Sequence, residues 1–208
     1  MLRVGLTGGI ASGKSTVASM LRDRDYQVLD ADALAHEFLE PGQPVYDEVV
    51  REFGEGILGP GGAVDRRKLG AIVFADVEKR ARLNQIVHPR IREVGTKWFA
   101  ALERPGGPEM AFEDAALILE ASMDKYFDRV VVCWCRPEQQ LERLKARGLS
   151  DEDARRRIAS QMPIDEKRRL ADEVIDCSGT IRETERQVVL VLAKLKEAAA
   201  ARLNDQRH

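Results

Sequence analysis

The sequence predicts an α/β fold built on a mostly parallel five-stranded sheet with helices on both faces. Three observations predict it. The first is Gly8-Gly9-Ile10-Ala11-Ser12-Gly13-Lys14-Ser15-Thr16, which fits the phosphate-binding pattern G-x-x-x-x-G-K-[ST]. The second is its setting: Leu2 to Thr7 is a short, mostly apolar run, and Val17, Met20 and Leu21 follow the loop at helical spacing. The third is the alternation of strand-like and helical runs down the rest of the chain.

Taken in order, the loop's helix gives way to Tyr26-Gln27-Val28-Leu29, a second strand ending at Asp30-Ala31-Asp32. Residues 33–104 read as mostly helical, with breaks at Pro41-Gly42 and Gly59-Pro60-Gly61-Gly62. Asp65 suits the cap of a helix carrying Leu69, Ile72 and Val73. A longer helical stripe follows through Leu83, Ile86, Val87, Ile91, Val94, Trp98 and Leu102, and Pro89 is expected to mark a break or a new start within it. This stretch is too long for a simple crossover and reads as an inserted helical substrate region. Pro105-Gly106-Gly107-Pro108 turns the chain into a third strand ending near Glu113-Asp114. Arg129 to Cys135 is a fourth, buried-type strand, and Pro137 suits the first turn of the helix after it. Residues 148–169 are strongly charged, with Arg155-Arg156-Arg157 and Lys167-Arg168-Arg169, and mostly read as a solvated face. Glu173 to Asp176 is a fifth strand. A final helix from Ile181 to Leu203 turns Val188, Val191, Leu192 and Leu195 inward, with Asn204 to His208 fraying. The expected division is a nucleotide-binding core (1–32, 105–137 and 170–203), a helical substrate region (33–104) and a lid (138–169).

The loop's chemistry follows from its residue types. Gly8 and Gly13 allow backbone bends that a side chain would block. The N–H groups of residues 8–16 can then face anionic oxygens, reinforced by the helix N-terminus. Lys14 can reach terminal phosphates, and the Ser15 hydroxyl can hold the Mg²⁺ that accompanies a nucleotide. In open α/β sheets ligands sit beyond the carboxyl ends of the strands. That makes Asp32 a candidate base and Asp114 a candidate Mg²⁺ partner, while the competing role for Asp30 or Asp32 is a helix cap. Arginines of the charged segment that includes Arg143 and Arg147 can close over a transferring phosphate, set against plain surface charge.

Composition narrows the classes. The 208 residues are 44% hydrophobic and 33% charged, which is a globular profile. A net charge of -2 argues against a general polyanion binder, and the arginine cluster lacks interleaved aromatics, so no nucleic-acid partner is expected. No apolar run is long enough to span a membrane. The chain enters its first strand without a leader, so a cytoplasmic location is expected. Cys133, Cys135 and Cys177 have neither disulfide nor zinc spacing and read as buried thiols, and His36, His88 and His208 lack ligand spacing. No guanine-reading N-K-x-D occurs, and Asp176-Cys177-Ser178-Gly179 matches D-x-x-G at the wrong end of the chain. A small-molecule kinase, which asks for positioning, charge neutralisation and a base, fits best.

Several stretches add a more specific signal: Leu6 to Thr16, Val28 to Asp32, Glu40-Pro41-Gly42, Phe53-Gly54, Asp65 to Leu69, Val73-Phe74 and His88-Pro89. Gln140 to Arg147, Gln161-Met162-Pro163 and Ala171 to Asp176 continue the series. Together, over about residues 2–180, they resemble the dephospho-coenzyme A kinase family, which catalyses the last step of coenzyme A synthesis. The resemblance implies a P-loop kinase fold and ATP- and Mg²⁺-dependent phosphorylation of the ribose 3′-hydroxyl of dephospho-coenzyme A. It also implies Asp32 as the base, a lid around Arg143 to Gln161 and an adenine-side loop near Asp176 to Gly179. The family commonly has P-L-L-F-E where this chain has Ala116 to Glu120, and asparagine where Cys177 stands, which leaves the role of Glu120 and the nucleotide preference open. Another small-metabolite kinase (nucleoside monophosphate or sugar-acid) and an ATP-dependent regulatory protein are the competing readings. A monomer or weak homo-oligomer is expected.

Overall fold

A computed structural model describes residues 1–205, with side chains described through residue 202. His208 and most of the segment expected to fray lie outside the described residues. The chain divides into two compact units, residues 1–30 with 98–208 and residues 31–97.

The first unit is organised by five strands: β1 (Leu2–Gly8), β2 (Gln27–Asp30), β3 (Met110–Asp114), β4 (Arg129–Trp134) and β5 (Glu173–Asp176). They lie in the order β2-β3-β1-β4-β5, and every neighbouring pair is parallel. Strand β1 is therefore central, which explains why six of its seven residues are buried. Its helices are α1 (Lys14–Arg22), α6 (Pro137–Ala146), α7 (Asp151–Ala159), α8 (Ile164–Leu170) and α9 (Ile181–Asp205). The expected stripe of α9 packs inward: Val188, Val191, Leu192 and Leu195 join Leu2, Val4, Leu6, Val17, Phe112 and Val131 in one apolar core. Leu119, Val130, Val132 and Ile164 form a second cluster.

The second unit holds α2 (Ala31–Glu37), α3 (Tyr46–Phe53), α4 (Arg66–Ala75) and most of α5 (Val77–Leu102). Asp65 caps α4 by accepting the N–H groups of Arg67 at 2.8 Å and Lys68 at 3.3 Å. One expectation fails here. Helix α5 runs unbroken through Pro89. The ring costs the helix one backbone hydrogen bond. Ile86, Val87 and Ile91, all buried on one stripe, hold the helix on either side of it. Helix α2 begins at Ala31 directly after β2, so Asp30 ends the strand and Asp32 sits inside the first helical turn.

Candidate active site

Strand β1 leads straight into the loop. The Thr7 hydroxyl donates to the Ala116 carbonyl at 3.1 Å, tying the strand end to the segment that follows β3. Inside the loop, Ser12 N–H donates to the Gly9 carbonyl at 3.1 Å, and Thr16 and Val17 donate back to Gly13 as α1 starts. Gly13 has φ of 107°, and a side chain there would also lie 2.8 Å from the Cys177 Cβ. A Cβ on Gly8 would lie 2.7 Å from the Cys133 carbonyl oxygen, and one on Gly9 would run into the Gln140 amide. Ala11 also takes a left-handed conformation, with φ of 59°, although it is not glycine. The loop is thus a cradle with no room for a side chain at Gly8 or Gly9, and fully buried Ser12 has no hydrogen-bond partner for its Oγ among the described residues.

Lys14 forms an ion pair with Asp114, whose side chain is only 5% exposed. The sheet register explains the meeting: Asp114 stands beside Leu6 of β1 and Asp30 of β2, at the carboxyl ends of the strands. Ser15 is exposed on the first turn of α1. It opens onto a cavity of about 220 Å³ lined also by Ala11, Gly13, Arg143, Arg147 and Cys177. On the opposite face of β3, Glu113 is buried with Oε1 unpartnered, and desolvation pushes its pKa up to about 7.

Four side chains from the second half of the chain hold the loop's backbone. Gln140 donates to the Ile10 carbonyl at 2.7 Å, and Gln161 accepts the Ile10 N–H at 2.7 Å. Arg143 donates to the carbonyls of Ala11 at 3.1 Å and Cys177 at 2.7 Å. Lys167 donates to the Gly8 carbonyl at 3.2 Å. Arg143 is therefore not loose surface charge, whereas Arg147 is exposed at the cavity edge. Lys167 contradicts its reading as part of a solvated run: it is 0% exposed and pairs with Glu120 at 2.7 Å. The same Glu120 oxygen accepts the Met162 N–H at 3.0 Å, so Glu120 keeps a defined place without a proline at position 116.

The cysteines are buried as expected. The Cys177 thiol donates to the Ile175 carbonyl at 3.6 Å; neighbouring Cys133 holds the Cys177 pKa below its ordinary value, while burial drives Cys133 well up. Burial also pushes Cys135 up to about 11. Asp32 belongs to the second unit, half-buried in the first turn of α2. In that unit Arg66 meets the His36 Nε2 at 2.7 Å, and burial holds the His88 pKa below its ordinary value. Among the described residues no cluster of three His, Cys, Asp or Glu could by itself hold a metal ion, and no helix is long and apolar enough to cross a membrane.

Residues 2–183 match the family model described as dephospho-CoA kinase. The chain belongs to the dephospho-CoA kinase family. A dephospho-CoA kinase of Symbiobacterium thermophilum is 47% identical over 186 residues, covering 89% of this chain and 77% of the relative. The crystal structure of a Thermus thermophilus protein is similar, with a TM-score of 0.76 and 36% identity over 93% of this chain and 97% of that one. The structure of a dephospho-CoA kinase from Campylobacter jejuni follows at 0.66 and 26%, covering 94% and 98%. The protein thus shares the all-parallel P-loop kinase architecture of its family, and the family is one of transferases.

Within that family frame, the loop, Lys14 and Ser15 are legible from a motif, but the groups that hold the loop are not. Gln140 and Gln161 lie in stretches that carry the family resemblance, but nothing in those stretches points them at the loop backbone, and Lys167 lies in none of them. One signal for Lys167 was present: it lies three residues after Ile164, on the same face of α8, and Ile164 is buried.

Proposed function

We infer that this protein transfers the γ-phosphoryl group of ATP to the ribose 3′-hydroxyl of dephospho-coenzyme A, giving coenzyme A and ADP. The observation that carries the reading is the family match over residues 2–183, laid on a sheet whose central strand ends in the phosphate loop. The 3′-oxygen attacks the γ-phosphorus, the bond from that phosphorus to the ADP oxygen breaks, and the hydroxyl proton passes to Asp32. Transfer of this kind needs little covalent help from the protein, so positioning and charge carry the rate.

The loop N–H groups of residues 8–16 bind the phosphate chain. An ammonium has three donors, so Lys14 can remain oriented by Asp114 and still reach phosphate oxygens. Mg²⁺ suits two oxygen donors of this chain, the exposed Ser15 hydroxyl and the Asp114 carboxylate. When bound, Mg²⁺ neutralises charge developing on the phosphates. Arg147, exposed at the cavity edge, is free to swing over the transferring group, whereas Arg143 holds the loop and the Cys177 backbone together. Residues 33–104 act as the acceptor-binding region and 138–169 as the lid, in a cytoplasmic monomer or weak homo-oligomer with no nucleic-acid or membrane partner.

An acceptor panel tests this reading. With ATP and Mg²⁺, the purified protein is offered dephospho-coenzyme A, adenosine, AMP, shikimate and gluconate separately, and mass spectrometry looks for one added phosphate. Coenzyme A from the first alone is expected. Phosphorylation of another acceptor instead, or of none, overturns the reading.

A further inference from the structure

Lys167 presents a puzzle that the reaction does not explain. A fully buried ammonium is costly, and an apolar side chain of similar volume would anchor α8 at least as well. What the charge adds is direction. Its Nζ donates to the carbonyls of Gly8 at 3.2 Å and Ala116 at 2.7 Å and pairs with Glu120 at 2.7 Å. These belong to three pieces of chain. Gly8 opens the phosphate loop. Ala116 follows β3 and also accepts the Thr7 hydroxyl. Glu120 holds the Met162 N–H, next to the Gln161 that takes the Ile10 N–H.

The peptide geometry turns this into a statement about phosphate. Each peptide unit is planar and trans, so a C=O and the following N–H point in opposite directions. Holding the Gly8 carbonyl therefore fixes where the Gly9 N–H points, on the side away from Lys167. Gln140 does the same at Ile10, fixing the Ala11 N–H. Without these holds the Gly8–Gly9 unit, which has no side chain on either residue, would turn more readily.

We propose that Lys167 is a positioning residue for the nucleotide: it orients the Gly8–Gly9 peptide so that the loop presents its N–H groups to phosphate before any nucleotide arrives. It touches no substrate and acts through the loop. Through Glu120 and Met162 it also ties that orientation to the segment between α7 and α8. The inference rests on the loop being the ATP site but not on the identity of the acceptor.

The test compares Lys167→Met with the double variant Lys167→Met/Glu120→Gln, which removes both charges together and so avoids stranding the carboxylate. ADP affinity is read by titration calorimetry, and KM is read separately for ATP and for dephospho-coenzyme A. The double variant is expected to unfold cooperatively near the wild-type temperature, to bind ADP about tenfold or more weakly, and to raise the ATP KM to match while leaving the acceptor KM unchanged. A merely structural lysine would lower kcat through loss of active protein, with the ATP KM and ADP affinity unmoved, and that result overturns the proposal. Should neither variant fold, ¹⁵N-lysine spectra of the wild type read the contact directly: a slowly exchanging Lys167 ammonium that responds to ADP is expected, and a rapidly exchanging or unresponsive one overturns it. Weakened ADP binding in a protein that does not phosphorylate dephospho-coenzyme A would leave this proposal standing and remove only the assigned acceptor.

Discussion

The phosphate loop and the basic segment 143–169 are both dense in chemistry-bearing residues, yet their chemistry is fixed in different ways. In the loop it is local: glycines, a lysine and a hydroxyl at set spacing on a strand–loop–helix. In the basic segment, one set of residue types does two unrelated jobs. Arg155 and Arg156 on α7 are exposed and pair with Asp151 and Glu152 one turn back on their own helix. Arg143 and Lys167 reach out of the segment to hold loop carbonyls. Charge in a sequence therefore says little about use; the burial of the charged atom decides it.

That contrast can be broken at its strongest point. Lys14→Ala should cut turnover by about 10³-fold or more, because it removes a preorganised cation from the transferring phosphates. Steady-state rates on protein whose fold is checked by circular dichroism decide the matter, and near-normal turnover would strip the loop of its role.

The next largest effect is on stability, at the two faces of β3. Asp114 has Lys14, but Glu113 next to it has no partner for Oε1 and titrates at about 7, above its ordinary value of 4.5. A carboxyl whose folded pKa is raised binds its proton more tightly in the fold, so the stability Glu113 contributes is fullest below about pH 4.5 and is lost as pH rises through 7. The loss approaches about 3 kcal/mol. Urea unfolding at pH 5 and pH 8 should show Glu113→Gln holding its stability where the wild type declines. Parallel declines in the two proteins would mean that Glu113 titrates as an ordinary carboxylate.

Asp32→Asn should lower kcat by about 10²-fold while ADP binding is retained, because the substitution keeps shape and removes the proton acceptor. An unchanged kcat would reduce Asp32 to a residue of the first helical turn. The smallest effect is expected on α7: Arg155→Ala should change unfolding free energy by no more than about 0.5 kcal/mol, as an exposed pair within one helix does. A loss as large as that of a buried group would show that the segment's two jobs are not separable.

The sequence by itself determined the parts whose physics is short-ranged. The loop needs its glycines and Lys14 within a few bonds of one another. Asp65 caps α4 from one residue away, and the stripe of Val188, Val191, Leu192 and Leu195 states which face of α9 is covered. Only the tertiary structure decided that Lys14 meets Asp114 one hundred residues away, that Gln161 takes the Ile10 N–H, and that Lys167 lies beneath the loop. It also decided that α5 continues through Pro89, because packing on Ile86, Val87 and Ile91 outweighs one missing hydrogen bond. The physical reason is common to all of these. A polar side chain's value depends on which backbone groups the fold buries beside it, and parallel strands joined by long crossovers bring together groups that no local spacing records.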